Sequence, residues 1–355
     1  MEECIIIGGG VAGLSAANQL ADLGISSLLI EAGSYPGHRI CGEFFSPECL
    51  PILEKWEIPL SSTIRRCCFM FKDKEIAFNL PQAAKGESRY QFDMNLLERA
   101  RRKGVTVLTD SPCAGLRPPD HKEGYYVAEL SNGAVFKSKT LIVGTGKLPA
   151  LTKSKKPPSI YGGYKAHFKG IEIEDDLLEM HCFKGGYLGI SPIAPGIVNL
   201  ACLARLDQAS EPAFFMKKVL AQKGMEKLAE RIARGQMLYD RWMFSSLPEF
   251  GLREIPNLPN TYWIGDAAGS IPPVCGDGLG IAITTGIMAA EYFVRKDAEG
   301  FRRDWLQRYR KRFFWGKYLH KVVMQPMLCH AASLLCRAFP FLPQNIFWLT
   351  REHSS

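Results

Sequence analysis

Eleven cysteines are scattered through the 355-residue chain without a single C-x-x-C pair, and the adjacent Cys67-Cys68 suits neither a zinc knuckle nor a disulfide framework. A metal site and a disulfide-stapled secreted scaffold are therefore not expected, and reduced thiols in a cytoplasmic protein are. The chain opens without a basic n-region or a small-residue cleavage site. No uninterrupted apolar run approaches the roughly 20 residues of a membrane span. Internal repeats and low-complexity stretches are also missing. Net charge is small except in one place: of the net +8, most sits in residues 301–321, "FRRDWLQRYRKRFFWGKYLHK", with eight lysines and arginines against one aspartate. That pattern does not suit a protein coated for nucleic acid. It leaves one basic helix with interleaved aromatics, either a solvated face or a peripheral contact with an anionic membrane.

Glycine, by contrast, is placed with purpose. In "CIIIGGGVAGLSAANQL", residues 4–20, an apolar strand runs into Gly8, Gly10 and Gly13 in G-x-G-x-x-G spacing, followed by a helical pattern opening at Val11-Ala12. Gly8 permits the tight turn, Gly10 lets backbone approach a pyrophosphate, and Gly13 lets helix and strand pack closely. Free N–H groups at the helix start point at phosphates. The next strand, "SSLLIEAG", delivers Glu31-Ala32 at the offset where a carboxylate accepts from ribose hydroxyls. This is a dinucleotide site, with NAD and FAD not yet distinguished.

Two later segments repeat the device. "LIVGTGKLPA", residues 141–150, is a strand ending at Gly144. "YWIGDAAG", residues 262–269, is a strand ending at Gly265-Asp266. The latter continues through Pro273 into "CGDGLGIAI", residues 275–283, with Gly276, Gly278 and Leu279 at the turn and helix start. In these residues the chain resembles the p-hydroxybenzoate hydroxylase and geranylgeranyl reductase superfamily of FAD enzymes. The resemblance implies that Asp266 serves the ribityl chain, and that the Pro-x-x-Gly-x-Gly turn lies against the flavin with the helix dipole favouring negative charge there. "GHRICGEFFSPECL", residues 37–50, looks like the segment whose Cys41-Gly42 passes near the flavin, with Arg39 ahead of it. "SRYQFDMNLLERARRKGVTV", residues 88–107, matches the family's Arg-x-x-Phe-Asp-x-x-Leu helix and puts Arg89 beside the cofactor. Cys113 completes the expected cofactor contacts. One departure stands out: Gly144-Thr145-Gly146 replaces the Asp-Gly motif of the hydroxylases, which is associated with pyrophosphate and NAD(P)H use.

The implied fold is α/β: a glutathione-reductase-type Rossmann FAD-binding domain over residues 1–64, 81–160 and 255–300, an inserted antiparallel β-sheet substrate domain over 65–80 and 161–254, and a helical tail over 301–355. Residues 127–138 read as a hairpin with Asn132-Gly133 at its turn. With no second strand–glycine–helix signature, NAD(P)H would act as a transient reductant over the flavin. The apolar stretch 322–349 reads as packing against the two domains, or as an edge giving a lipophilic substrate access.

FAD carries the hard chemistry, and the protein positions it and excludes water. The expected substrate is a hydrophobic or aromatic small molecule. Monooxygenation is preferred because polar candidates are few, with reduction of isoprenoid double bonds as the alternative and a non-catalytic flavin sensor or electron carrier behind it. A halogenase reading lacks its W-x-W-x-I-P signature. Glu43 is a candidate general acid, or one half of a salt bridge to an arginine. His167 shares a strand face with Lys165, and Tyr187 in "GGYLG" could bond substrate. Asp277 reads as the cap of the helix it precedes.

Overall fold

A computed structural model describes residues 1–71, 74–119, 124–146, 159–207, 211–222 and 224–351. Residues 147–150, the end of the second glycine segment, lie outside the described residues, as do 352–355 at the end of the tail.

Five short parallel strands form the nucleotide-binding sheet, in the spatial order Thr261–Trp263, Leu141–Val143, Cys4–Ile7, Ser27–Ile30, Thr106–Leu108. Strands covered on both faces should be apolar at every position, and "CIII", "SLLI" and "LIV" are buried throughout. Each fully buried aliphatic side chain among them contributes roughly 1.5–3 kcal/mol. The three glycine-ended strands, Cys4–Ile7, Leu141–Val143 and Thr261–Trp263, are adjacent, so their carboxyl ends open on one crevice, the place where ligands bind in open α/β sheets.

Small residues let the helices over this sheet approach one another. Val11–Asp22 meets Gly278–Arg295 so closely that a Cβ on Gly286 would stand 2.4 Å from the Ala12 carbonyl oxygen and 2.9 Å from the Ala16 nitrogen. A three-stranded antiparallel sheet, Cys113–Arg117, Tyr126–Leu130 and Val135–Ser138, contains the expected hairpin, with Gly133 at φ +85° in its turn.

The second large sheet has nine strands. Ser159–Lys169, Ile197–Arg205, Gly186–Ala194 and Leu177–Phe183 are neighbours in that order, and the sheet continues into Ser62–Phe71 and Lys74–Gly86. It is antiparallel except at one seam, where Leu177–Phe183 runs parallel to Ser62–Phe71. That seam joins two pieces of chain far apart in sequence, so no hairpin constrains its direction.

Three helices close the structure: Ala298–Val323, Pro326–Ala338 and Leu342–Leu349. Among the described residues, no helix is long and apolar enough to cross a membrane, and no cluster of potential metal ligands occurs. All eleven cysteines are free thiols, eight of them buried and three, Cys41, Cys113 and Cys336, partly exposed.

Candidate active site

A cavity of about 410 Å³ begins at the crevice and runs beneath the large sheet to the carboxy-terminal helices. Its size falls within the range of small-molecule and cofactor sites. One end is walled by Gly10, Val11, Ala12 and Gly144, and the middle by Cys41, Gly42, Arg89, Asp266, Pro273 and Gly276, with Gly278 and Leu279 at the helix start. The far end is mostly apolar: Phe69, Phe78 and Met180 from the sheet face Ile346 and Phe347 from the last helix, with the Arg351 guanidinium over the Phe347 ring.

The glycines separate into two kinds. Gly8 has φ +98°, and a Cβ there would strike the Gly144 carbonyl at 2.4 Å; on Gly13 it would strike the Gly8 carbonyl at 1.9 Å. These residues are glycine because the fold demands it. Gly10, Gly42 and Gly278 also line the cavity, yet none has a positive φ and a Cβ on any of them meets nothing within 4 Å. Nothing in the protein's own packing requires glycine at these three positions. A cradle for a closely fitting group does, and the spread of the three along the cavity suits an extended dinucleotide such as FAD.

Several expected residues stand back from the cavity. Glu31 accepts from the Gly9 N–H at 2.6 Å and the Gly33 N–H at 2.9 Å, with the Arg39 guanidinium 3.9 Å away. Ala32 follows it. Cys113 lies beyond the same sheet edge, where Ser111 donates its N–H to the Glu31 carbonyl, and its thiol bonds the Gly115 carbonyl. Gly265, at φ +55°, donates its N–H to Thr285 Oγ1 and would clash with Ala12 if it carried a Cβ.

Glu43 lies on the cavity wall with no exposed surface. Its Oε1 accepts from Lys165 Nζ at 2.5 Å and from the Arg89 N–H at 2.7 Å, and its Oε2 meets His167 Nε2 at 2.6 Å. Burial alone would raise this carboxyl; the His167 hydrogen bond and the Lys165 ammonium outweigh it and hold the group below its ordinary range. A carboxyl held ionised does not serve as a general acid, which corrects that expectation. The salt-bridge expectation also needs correcting: the partner is a lysine, because the Arg89 guanidinium is taken up bidentately by Asp93 at 2.6 and 2.7 Å. His167 is absent from the cavity wall and reaches it only through Glu43, so direct contact with substrate is not its place. The same sheet face, with Asn199 paired opposite His167 on the neighbouring strand, fixes the loop beyond the charge pair. Lys165 Nζ bonds the Arg39 carbonyl at 3.0 Å and Asn199 Nδ2 bonds the Cys41 carbonyl at 3.0 Å.

Tyr187, Gly189 and Ser191 alternate along their strand and all face the cavity. The Tyr187 hydroxyl stands beside the Val274 backbone without a hydrogen bond of ordinary geometry, and Ser191 Oγ is likewise buried without a partner. Burial pushes the phenol well above its ordinary value, so it stays a neutral donor.

Asp277 does not cap its helix. Its buried carboxyl accepts from Ser46 Oγ at 3.0 Å and Arg312 Nη1 at 3.2 Å, and Arg312 holds Glu48 bidentately at 3.0 Å. A buried arginine is the stronger partner, and the first turn of the helix is left without a side-chain cap. Burial, then the Glu48 carboxylate beside it, raise the Asp277 carboxyl well above its ordinary range. Sequence reasoning missed this cluster, as it missed Arg351, which lines the cavity and bonds the Cys275 carbonyl at 2.6 Å. Lys165 did leave a signal: a lysine and a histidine two apart in a strand that is otherwise buried.

Comparison with known proteins agrees with this geometry. Residues 6–43 match a family model described as an NAD(P)-binding Rossmann-like domain. A digeranylgeranylglycerophospholipid reductase of Thermoplasma volcanium is 22% identical over 325 residues, covering 83% of this chain and 78% of the relative. A ubiquinone hydroxylase of Neisseria meningitidis is 21% identical, covering 84% and 70%. Among solved structures, a geranylgeranyl bacteriochlorophyll reductase-like protein from Thermoplasma acidophilum superposes with a TM-score of 0.73 at 17% identity, covering 98% of both chains. In sequence and in fold, this chain resembles the FAD-dependent oxidoreductases of the p-hydroxybenzoate hydroxylase and geranylgeranyl reductase superfamily.

Proposed function

We propose that the chain is an FAD-dependent oxidoreductase that reduces double bonds in the isoprenoid chain of a lipid-like substrate, with NAD(P)H as the transient source of electrons. The observation that carries this reading is the continuity of one cavity from the glycine cradle to a far end walled by Phe69, Phe78, Met180, Ile346 and Phe347. An apolar extension of this kind suits a long hydrocarbon chain better than a compact aromatic ring. On this ground we put double-bond reduction, the alternative drawn from the sequence, ahead of the monooxygenation preferred there. Relatives that act on a prenylated lipid, named as a digeranylgeranylglycerophospholipid reductase and a ubiquinone hydroxylase, support the substrate class for either chemistry.

Bound FAD supplies hydride transfer. In this reading Gly10, Val11 and Ala12 present backbone to its pyrophosphate, with Gly8, Gly13 and Gly265 keeping the surrounding backbones close enough. Glu31, with Ala32, Arg39 and Cys113 around it, holds the adenosine end, and Asp266 the ribityl chain. Cys41, Gly42, Arg89, Gly144, Pro273, Gly276, Gly278 and Leu279 surround the flavin. The Glu43–Lys165 pair, braced by His167, positions the 39–43 loop against it. Tyr187, a neutral donor with an uncommitted hydroxyl, orients the substrate, and the apolar walls exclude water. The substrate reaches this cavity from a membrane surface on the side of the carboxy-terminal helices.

The test is to reduce the FAD-loaded protein without oxygen and add a polyprenyl lipid. Reappearance of oxidised flavin together with a saturated chain, before air enters, is the expected result. Product that forms only after oxygen is admitted, and carries a hydroxyl group, overturns the proposal in favour of monooxygenation. Binding of FAD with neither product leaves an electron carrier.

A further inference from the structure

The helix Pro326–Ala338 is apolar on two opposite faces. On the inner face Cys329, Ala332 and Cys336, spaced three and four apart, line the cavity. On the outer arc Met327, Leu328, Ala331, Leu334, Leu335 and Ala338 are all exposed, Met327 by 85% and Leu335 by 54%. None of the described residues covers that arc. The turn that follows adds Phe339 and Phe341, exposed by 47% and 56%, with ring centroids 5.9 Å apart. A helix that is apolar all round is ordinarily buried, and a contiguous exposed apolar face of this kind marks an interaction surface.

The charges of the carboxy-terminal segment select its partner. No aspartate or glutamate occurs between residues 305 and 351, whereas Lys311, Lys317, Lys321 and Arg337 are exposed there, with Phe314, Trp315 and Tyr318 clustered among them. On the strand alongside, Lys74 meets His330, and Glu75 is the nearby acid. A two-fold contact between copies would set cations against cations. An exposed apolar arc, in a carboxy-terminal segment whose only charges are cationic and which also exposes aromatic rings, fits an anionic lipid surface. At 13 residues the helix is too short to span a bilayer and has the length and pattern to lie in its interface.

We propose that Pro326–Ala338 and the Phe339–Phe341 turn insert into the interfacial layer of an anionic bilayer, making this helix the wall between membrane and cavity. This rests on the lipid-substrate reading and deepens it: the basic helix singled out in the sequence supplies cations, and the apolar helix after it is the inserting element.

The test uses the full chain loaded with flavin and no substrate, sedimented with vesicles of phosphatidylcholine alone or containing about 30 mol % phosphatidylglycerol. Binding to the anionic vesicles is expected, about tenfold or more weaker to neutral ones and weakened as salt rises from about 0.1 to about 0.5 M. The double variant Leu334→Glu, Leu335→Glu should lose about tenfold or more in vesicle affinity while keeping flavin stoichiometry and melting temperature. Absence of wild-type binding overturns the proposal, as does a variant that binds like the wild type. A wild-type dimer that the variant converts to monomers assigns the face to a second copy instead. Because no turnover is involved, failure of the reduction test with vesicle binding intact sinks only the chemistry, and the converse sinks only the docking surface.

Discussion

Glu43 holds a left-handed backbone at φ +57°, uncommon for a residue with a side chain, and does so with its carboxylate in contact with Lys165, His167 and the Arg89 N–H. Breaking a buried pair from one side leaves an uncompensated charge, so Lys165→Met should cost about 3–5 kcal/mol in denaturant unfolding, and adding Glu43→Gln should recover part of that. The sign with pH follows from the lowered Glu43 carboxyl: its stabilisation is present above the ordinary glutamate value and is lost as pH falls through the lower folded one. In Glu43→Gln that share of the acid lability should disappear. His320 makes a second, separable test. Packed among Tyr161, Phe250 and Tyr187, with neither ring nitrogen bonded, it is pushed by burial from 6.5 down to about 4. Between those values the unfolded chain binds the extra proton. Stability should be full above pH 6.5 and fall by about 3 kcal/mol toward pH 4, a slope missing from His320→Leu. At this scale the sequence was half legible. It showed that Lys165 and His167 share a face. It did not show that Glu43, more than 120 positions earlier, is what they share it for, because only the sheet brings them together.

Among elements, the legible ones carry their reason locally. The glycine spacing after Cys4–Ile7 and the Asn132-Gly133 hairpin turn are fixed by backbone geometry within a few residues, and both stand where the spacing places them. Asp277 was misread because capping is also a local rule, whereas its partners Ser46 and Arg312 arrive from elsewhere in the chain. The parallel seam between Leu177–Phe183 and Ser62–Phe71 left no local trace for the same reason. A sharp expectation separates the two kinds of glycine. Gly13→Ala drives a Cβ to within 1.9 Å of the Gly8 carbonyl, forcing the helix off the strand, and should lower the stability of the flavin-free protein by about 3 kcal/mol. Thermal melts with and without FAD would show the loss in both.

At the scale of the molecule, three glycine-ended strands, one loop pinned by the large sheet and the carboxy-terminal helices converge on one cavity. The apolar far end sets a chain-length dependence. On the proposed isoprenoid reading, shortening the substrate removes buried hydrocarbon at about 0.8 kcal/mol per methylene, so kcat/KM should fall several-fold for each carbon lost, up to the length that fills the cavity. A flat response across chain lengths would speak for a compact substrate. The glycine-ended strands of this convergence were readable from motifs. The tail was readable only as two alternatives, packing or an edge giving a lipophilic substrate access, since its apolar residues fit both.

The most direct measurement of the central claim is the flavin content of Gly10→Val. The wild-type chain should hold about one FAD per molecule. Because a Cβ at Gly10 meets nothing within 4 Å and its φ of −71° suits any residue, the variant should fold and melt like the flavin-free wild type while losing the cofactor. A folded Gly10→Val protein that keeps its full complement of FAD would show that the cofactor does not lie in this cradle.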